Sequence, residues 1–165
     1  MSREIRRVPA GWEHPKDKAG NYQPLYDEDY ETVITEWINN HNLWLGGKHP
    51  DQIKCPERMK EYKYYAEWSD NPPMIEYYRP RWTDEERTHY QVYETVSEGT
   101  PLTPAFATKE ELIDYLVEYG TFWNPVGYDR AVAEKFVNSG WVPSGMVANG
   151  KFYRGIGCAG YIPQE

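Results

Sequence analysis

Between residues 27 and 45 the apolar positions Tyr30, Val33, Ile34, Trp37 and Ile38, continued by His41, recur at the three- and four-residue spacing of one helix face. Acidic residues crowd the first turn and Gly46-Gly47 follow the last, so both ends carry the expected punctuation. Pro56 can open a second helix in which Met59, Tyr62, Tyr65 and Ala66 form a stripe running to about Trp68. The run Ser69-Asp70-Asn71-Pro72-Pro73 stops any helix. Beyond it, Tyr77, Tyr78, Pro80 and Trp82 read as an extended aromatic strap and a hinge.

The pattern then changes period. From His89 to Val96 the residues alternate, with Tyr90, Val92, Glu94 and Val96 on one face and His89, Gln91, Tyr93 and Thr95 on the other, which is the signature of a strand. Thr108 and Glu111 stand as a capping box at the start of a helix carrying Leu112, Tyr115 or Leu116, and Tyr119, with Gly120 as its stop. A further helix is predicted over 129–138, burying Val132, Ala133 and Phe136 and ending at Gly140. Asn149-Gly150 between two short apolar runs is a strong hairpin signal. Strand, helix, helix, strand, strand makes the chain an α+β protein: a small antiparallel sheet of about three strands packed against helices, behind a helical, partly irregular N-terminal half. We expect one domain over 1–165, organised as a lead-in plus two helices (1–68), a proline-rich strap (69–87) and the strand-helix-helix-hairpin part (88–165).

Composition adjusts this picture in three places. The 165 residues include 15 Tyr, 7 Trp and 4 Phe, so the core is expected to be aromatic, and surplus Tyr and Trp favour a binding protein. The irregular lead-in over 8–26 is expected to be pinned by Trp12, Tyr22, Leu25 and Tyr26. The net charge of −8 divides evenly between residues 1–87 and 88–165, which disfavours direct nucleic-acid binding, since phosphate neutralisation needs clustered Lys and Arg. The exception, Arg3, Arg6 and Arg7, reads as a solvated chain end. Two distant cysteines, no apolar leader and no long apolar run give the expectation of a cytoplasmic protein with free thiols and no membrane contact.

Candidate chemistry is sparse. The loop Thr95 to Pro104 offers hydroxyls and a glycine, so Thr95, Ser97, Gly99, Thr100 and Thr103 are the candidate ligand-binding residues. Glu94 and Glu98 beside them, and the lack of a following Lys, oppose a phosphate; the competing reading is a proline-stiffened turn whose hydroxyls bond its own backbone. His89 and Glu94 fall on opposite faces of one strand and make no acid/base pair. His41, His49, Cys55 and Cys158 lack the paired spacing of a zinc site. No catalytic residue, metal or cofactor is therefore assigned. Acidic residues gather over 27–36 and 94–118, read either as helix-dipole complements or as a surface competing for a basic groove on a partner.

The segment Tyr93-Glu94-Thr95-Val96-Ser97-Glu98-Gly99-Thr100-Pro101, with Pro104 and a capped helix after it, resembles a family of small uncharacterised proteins of tailed bacteriophages and prophages. Val8-Pro9, Trp12 to Pro15, Glu85 to Tyr90 and Gly140 to Ser144 extend the resemblance, which is weakest over 46–70. It implies a viral origin and the host cytoplasm, and carries over no catalytic residue. The expected function is a non-enzymatic phage accessory protein that binds and inhibits a host bacterial protein, such as a nucleic-acid-handling defence complex of the CRISPR kind. Glu94, Glu98, Tyr93, Tyr77, Tyr78 and Trp82 are the candidate partner-binding residues. The alternatives are a small-ligand or nucleotide-binding module built on the 97–103 loop, and a virion structural or assembly component.

Overall fold

The computed structural model describes residues 2–95 and 99–162. In chain order its elements are β1 (Arg3–Val8), α1 (Tyr30–Leu45), α2 (Pro50–Lys54), α3 (Pro56–Met59), α4 (Tyr65–Trp68), β2 (His89–Glu94), α5 (Lys109–Glu118), α6 (Arg130–Ser139), β3 (Trp141–Val142), β4 (Gly145–Ala148) and β5 (Lys151–Arg154). Single 3-10 segments cover Ile75–Tyr77 and Gly155–Tyr161. The α+β class holds, and the chain divides into two compact units, Leu25–Pro80 and Met1–Pro24 with Arg81–Glu165. The lead-in up to Pro24 thus folds with the C-terminal half rather than with the helices that follow it in sequence, while Leu25 and Tyr26 belong to the smaller unit.

In the larger unit the sheet order is β2-β1-β3, antiparallel throughout. The N-terminal arginines are consequently no solvated end, because β1 is the central strand. Arg3 lies opposite Glu94 and Arg7 opposite Tyr90 in the register. The guanidinium of Arg6 sits 4.4 Å from the Tyr93 ring centre and that of Arg7 5.7 Å from the Tyr90 ring centre. A strand of such polar sequence is held by cation–π contacts, covered side-chain stems and a ladder on both edges. One sheet face meets α5 and α6, whose Leu112, Ile113, Leu116, Ala133, Phe136 and Val137 form the core with Val92, Val142, Ile156, Cys158 and Ala159. The predicted Thr108–Glu111 capping box opens α5 and the predicted Gly140, at φ 75°, closes α6, whose first turn is capped by Asp129. The Asn149-Gly150 turn also forms, with φ of 50° and 73°, yet β4 and β5 make a sheet of their own.

The smaller unit follows the sequence less closely. Asp29 caps α1 through Thr32, as the acidic first turn implied. The helix expected over 56–68 is instead two short pieces, α3 and α4, with α2 preceding them. Pro50 and Pro56 each take a first helical turn, and neither supplies an N–H to prolong the turn before it. Their aromatic residues gather round Trp44: Trp68 stacks on it at 6.3 Å and Tyr65 lies at 5.8 Å. The strap is a 3-10 turn tied back by Tyr26 N–H to Tyr77 C=O at 2.8 Å and Arg79 N–H to Tyr26 C=O at 2.9 Å.

Both thiols are unpaired, Cys55 exposed and Cys158 buried. Burial pushes the Cys158 thiol up, and its Sγ donates to the Tyr153 carbonyl at 3.5 Å. One equivalent of thiol is therefore expected to react with a disulfide reagent in the native protein and the second only in denaturant. Two equivalents reacting together at the native rate would contradict this packing.

Candidate functional site

Residues 100–106 run beside β2 as an irregular edge strand. Glu94 N–H donates to Thr100 C=O at 3.0 Å, Leu102 N–H to Val92 C=O at 2.7 Å, and Tyr90 and Phe106 exchange bonds of 2.7 and 2.9 Å. The Leu102 amide, engaged in this way, is not left to cradle an anion. Thr103 is buried, and its hydroxyl accepts from Val92 N–H at 3.1 Å and donates to Pro104 C=O at 2.9 Å. Thr95 N–H donates to Ser2 C=O at 3.2 Å. Gly99, at φ 51°, lies so close to Arg6 that a Cβ there would stand 2.9 Å from its guanidinium nitrogens. Of the candidate ligand residues, Ser97 lies outside the described residues, as does Glu98 of the partner set. Thr95, Gly99, Thr100 and Thr103 are placed where their groups stitch the sheet edge.

The remaining partner candidates also scatter. Tyr93 is buried at the centre of a chain in which Trp12 Nε1–H donates to its hydroxyl at 3.0 Å. His14 Nε2 lies 2.7 Å from the Gln23 carbonyl and so carries the proton, leaving Nδ1 to accept from the Tyr93 hydroxyl at 3.4 Å. This chain pins the lead-in to the sheet face opposite the helices. Glu94 is buried too, paired with Arg3 at 3.2 Å and accepting from Trp123 Nε1–H at 2.6 Å. Neither side chain is presented to a partner. Trp82 is half-buried, edge-on to Trp12 at 4.7 Å. Tyr77 and Tyr78 belong to the smaller unit, with Tyr77 exposed and Tyr78 packed against Tyr26 and Tyr30. The acidic run is largely engaged: Arg130 bonds Glu110 and Asp114, and Glu111 belongs to the α5 cap.

What the sequence reading missed is the connection from α5 to α6. Gly120 and Gly127 have φ of 64° and 86°, and a Cβ on either would come within 1.9 Å of the Asn124 oxygen or 2.1 Å of the Val117 oxygen. Thr121 and Asn124 exchange backbone bonds of 3.1 and 2.9 Å, and Asn124 Nδ2 donates to Gly127 C=O at 2.8 Å. Tyr128 N–H reaches Leu116 C=O at 3.0 Å, its hydroxyl lies 3.0 Å from the Thr121 hydroxyl, and burial raises its pKa. This fixed loop carries Phe122 at 80% exposure, Val126 at 86% and Trp123 at 57%. Two glycines bracketing Phe-Trp-Asn-Pro-Val were the available signal.

Two clefts border the loop. One, of about 810 Å³, has Trp12, Tyr22, Gln91, Pro101 to Ala105, Tyr115 and Phe122 among its walls. The other, of about 750 Å³, is lined by Arg3, Trp123, Tyr128, Phe152 and Arg154 among others. Among the described residues no cluster of His, Cys, Asp and Glu could hold a metal, and no helix is long and apolar enough to cross a membrane. Comparison with protein-family models, curated proteins and solved structures finds no match to this chain.

Proposed function

We propose that this protein is a non-enzymatic binding protein that docks on another protein through the 119–128 loop. In the setting implied by the phage-type motif, it inhibits a host bacterial protein that handles nucleic acid, such as a CRISPR effector. The observation that carries the docking role is the locked loop with Phe122, Trp123 and Val126 turned outward. Single exposed apolar residues are common, but large side chains held together on a fixed backbone bind with little ordering cost, and Trp is enriched among energetically dominant contacts.

The engaged carboxylates shift the inhibitory mode from charge mimicry towards apolar docking. Affinity is therefore expected to change little between low and physiological salt, where a polyanion mimic would lose it steeply. The paired variant Phe122→Asp/Val126→Asp is expected to weaken partner capture by about 100-fold, near 3 kcal/mol, because charges replace desolvated anchors. Its melting temperature should stay within a few degrees, since both side chains are exposed. Expression of the wild-type chain in a bacterium with active CRISPR immunity should lower that immunity, and the variant should restore it. Intact immunity together with no captured host protein would end this reading.

A further inference from the structure

We propose that the cleft of about 750 Å³ between the 120–128 loop and the β4–β5 hairpin binds a small aryl carboxylate. The inference goes beyond the docking role and does not depend on it. Strand alternation builds the hairpin wall. Phe152 and Arg154 share one face of β5, and Gly145 on β4 stands opposite Arg154 in the register. A Cβ at Gly145 would lie 2.6 Å from Phe152 Cζ, so the bare glycine is what lets the ring tip rest against the β4 backbone. The Arg154 guanidinium sits 5.5 Å from the centre of the same ring. Both side chains are exposed and both residues line the cleft, so an occupant can reach them.

Charge selects the polar end of the ligand. The described residues that line the cleft include Arg3 and Arg154 and no Asp or Glu. Arg3 is matched by Glu94 at 3.2 Å, so its charge is already balanced. Arg154 touches the Phe152 ring and has no carboxylate partner among the described residues. One uncompensated guanidinium calls for a monoanion, and a planar carboxylate fits its fork with two parallel bonds. A cationic group would meet like charge with nothing to offset it. The other walls select the body of the ligand. Trp123, held by its bond to Glu94, lines the cleft with Tyr128 and Phe152, and three aromatic side chains accept a flat ring by offset or edge-to-face contact. The volume falls within the range of small-molecule sites.

The test titrates the full ¹⁵N-labelled chain at neutral pH with naphthoate, its neutral amide naphthamide, the cation naphthylmethylammonium and naphthyl phosphate, all substituted at the same ring position. Naphthoate should bind saturably with Kd below about 2 mM, shifting the Trp123 indole N–H, the Arg154 Nε–H and the amides of Gly145, Gly155 and Gly157. Naphthamide should bind at least about threefold more weakly, the worth of an ion pair open to water on one side, and the cation more weakly still. The phosphate should gain less than about tenfold over the carboxylate, since one guanidinium is uncompensated. Arg154→Met keeps the apolar stem and removes the charge, so it should erase the preference for the carboxylate while leaving naphthamide binding unchanged, which loss of shape alone would not do. Phe152→Ala should weaken carboxylate and amide alike. Both positions are exposed, so the melting temperature should hold, and if either variant unfolds the wild-type series and its chemical shifts still decide. The assignment is overturned if naphthoate binds more weakly than about 2 mM, if its shifts fall outside the cleft residues, or if the amide or the cation binds within about threefold of it. It is equally overturned if Arg154→Met keeps the carboxylate preference, if Phe152→Ala binds unchanged, or if the phosphate binds tenfold or more tightly, which would mark a phosphate site.

Discussion

Deletion of residues 1–8 is expected to abolish cooperative folding of the unit formed by residues 1–24 and 81–165. β1 pairs with β2 along six residues and with β3 at Arg3 and Glu4, so its loss opens both edges of the sheet at once. The Ile5 N–H to Gly140 C=O bond of 2.8 Å, which ties the strand to the end of α6, disappears with it. So does Val8, at 1% exposure, worth about 1.5–3 kcal/mol of burial, and the Arg3 partner of a buried carboxylate, worth about 3–5 kcal/mol. Together these rival the whole stability of a domain of this size, about 5–15 kcal/mol. Circular dichroism melting and amide exchange are the measurements. A truncated chain that melts cooperatively within a few degrees of the intact one would show that the β1 ladder is dispensable. Ile5→Pro provides a point version, since a central strand has no place for a residue lacking N–H.

That strand also marks how far the sequence can be read. The Thr108–Glu111 capping box and the Asn149-Gly150 turn were legible because each depends on residues within four positions of one another. β1 was not, because Arg-Glu-Ile-Arg-Arg-Val has no apolar alternation, and its partners lie more than 80 residues away. The helix expected over 56–68 failed for the opposite reason: its apolar spacing was local and real, but the aromatic cluster around Trp44 accommodates two short turns, α3 and α4, instead. At the site, the turn chemistry of the 99–104 loop could be weighed from its prolines and hydroxyls. Which strand it would run beside could not, and that decided whether its amides were available. The outward aromatics of the 120–128 loop were equally present in the sequence, but no periodicity there says which side they face, and two positive-φ glycines turn them out.

Glu94→Ala is expected to cost about 3–5 kcal/mol, although it removes a residue the sequence pattern assigns to the binding surface. The carboxylate sits directly across the register from Arg3, with only 11% of its side chain accessible against 8% for the arginine. Cutting it away leaves the guanidinium without the carboxylate that repays its desolvation, and the Trp123 indole N–H loses its acceptor. The loss reaches the docking loop, because the Trp123 bond ties that loop to β2. Partner capture should therefore fall beyond what reduced stability explains, whereas Phe122→Asp/Val126→Asp should lower capture alone. Glu94→Gln keeps the volume and an acceptor oxygen for Trp123 and should fall between the wild type and Glu94→Ala. The double variant Arg3→Met/Glu94→Leu, read with Arg3→Met and Glu94→Leu alone, provides the sharper measurement: with both charges removed it should be less destabilised than the two single variants summed, giving a coupling energy of about 1–3 kcal/mol in urea unfolding. If the two single variants and the double all unfold within about 1 kcal/mol of wild type, the pair is a solvent-screened contact and the loop is held by its glycines and Asn124 instead.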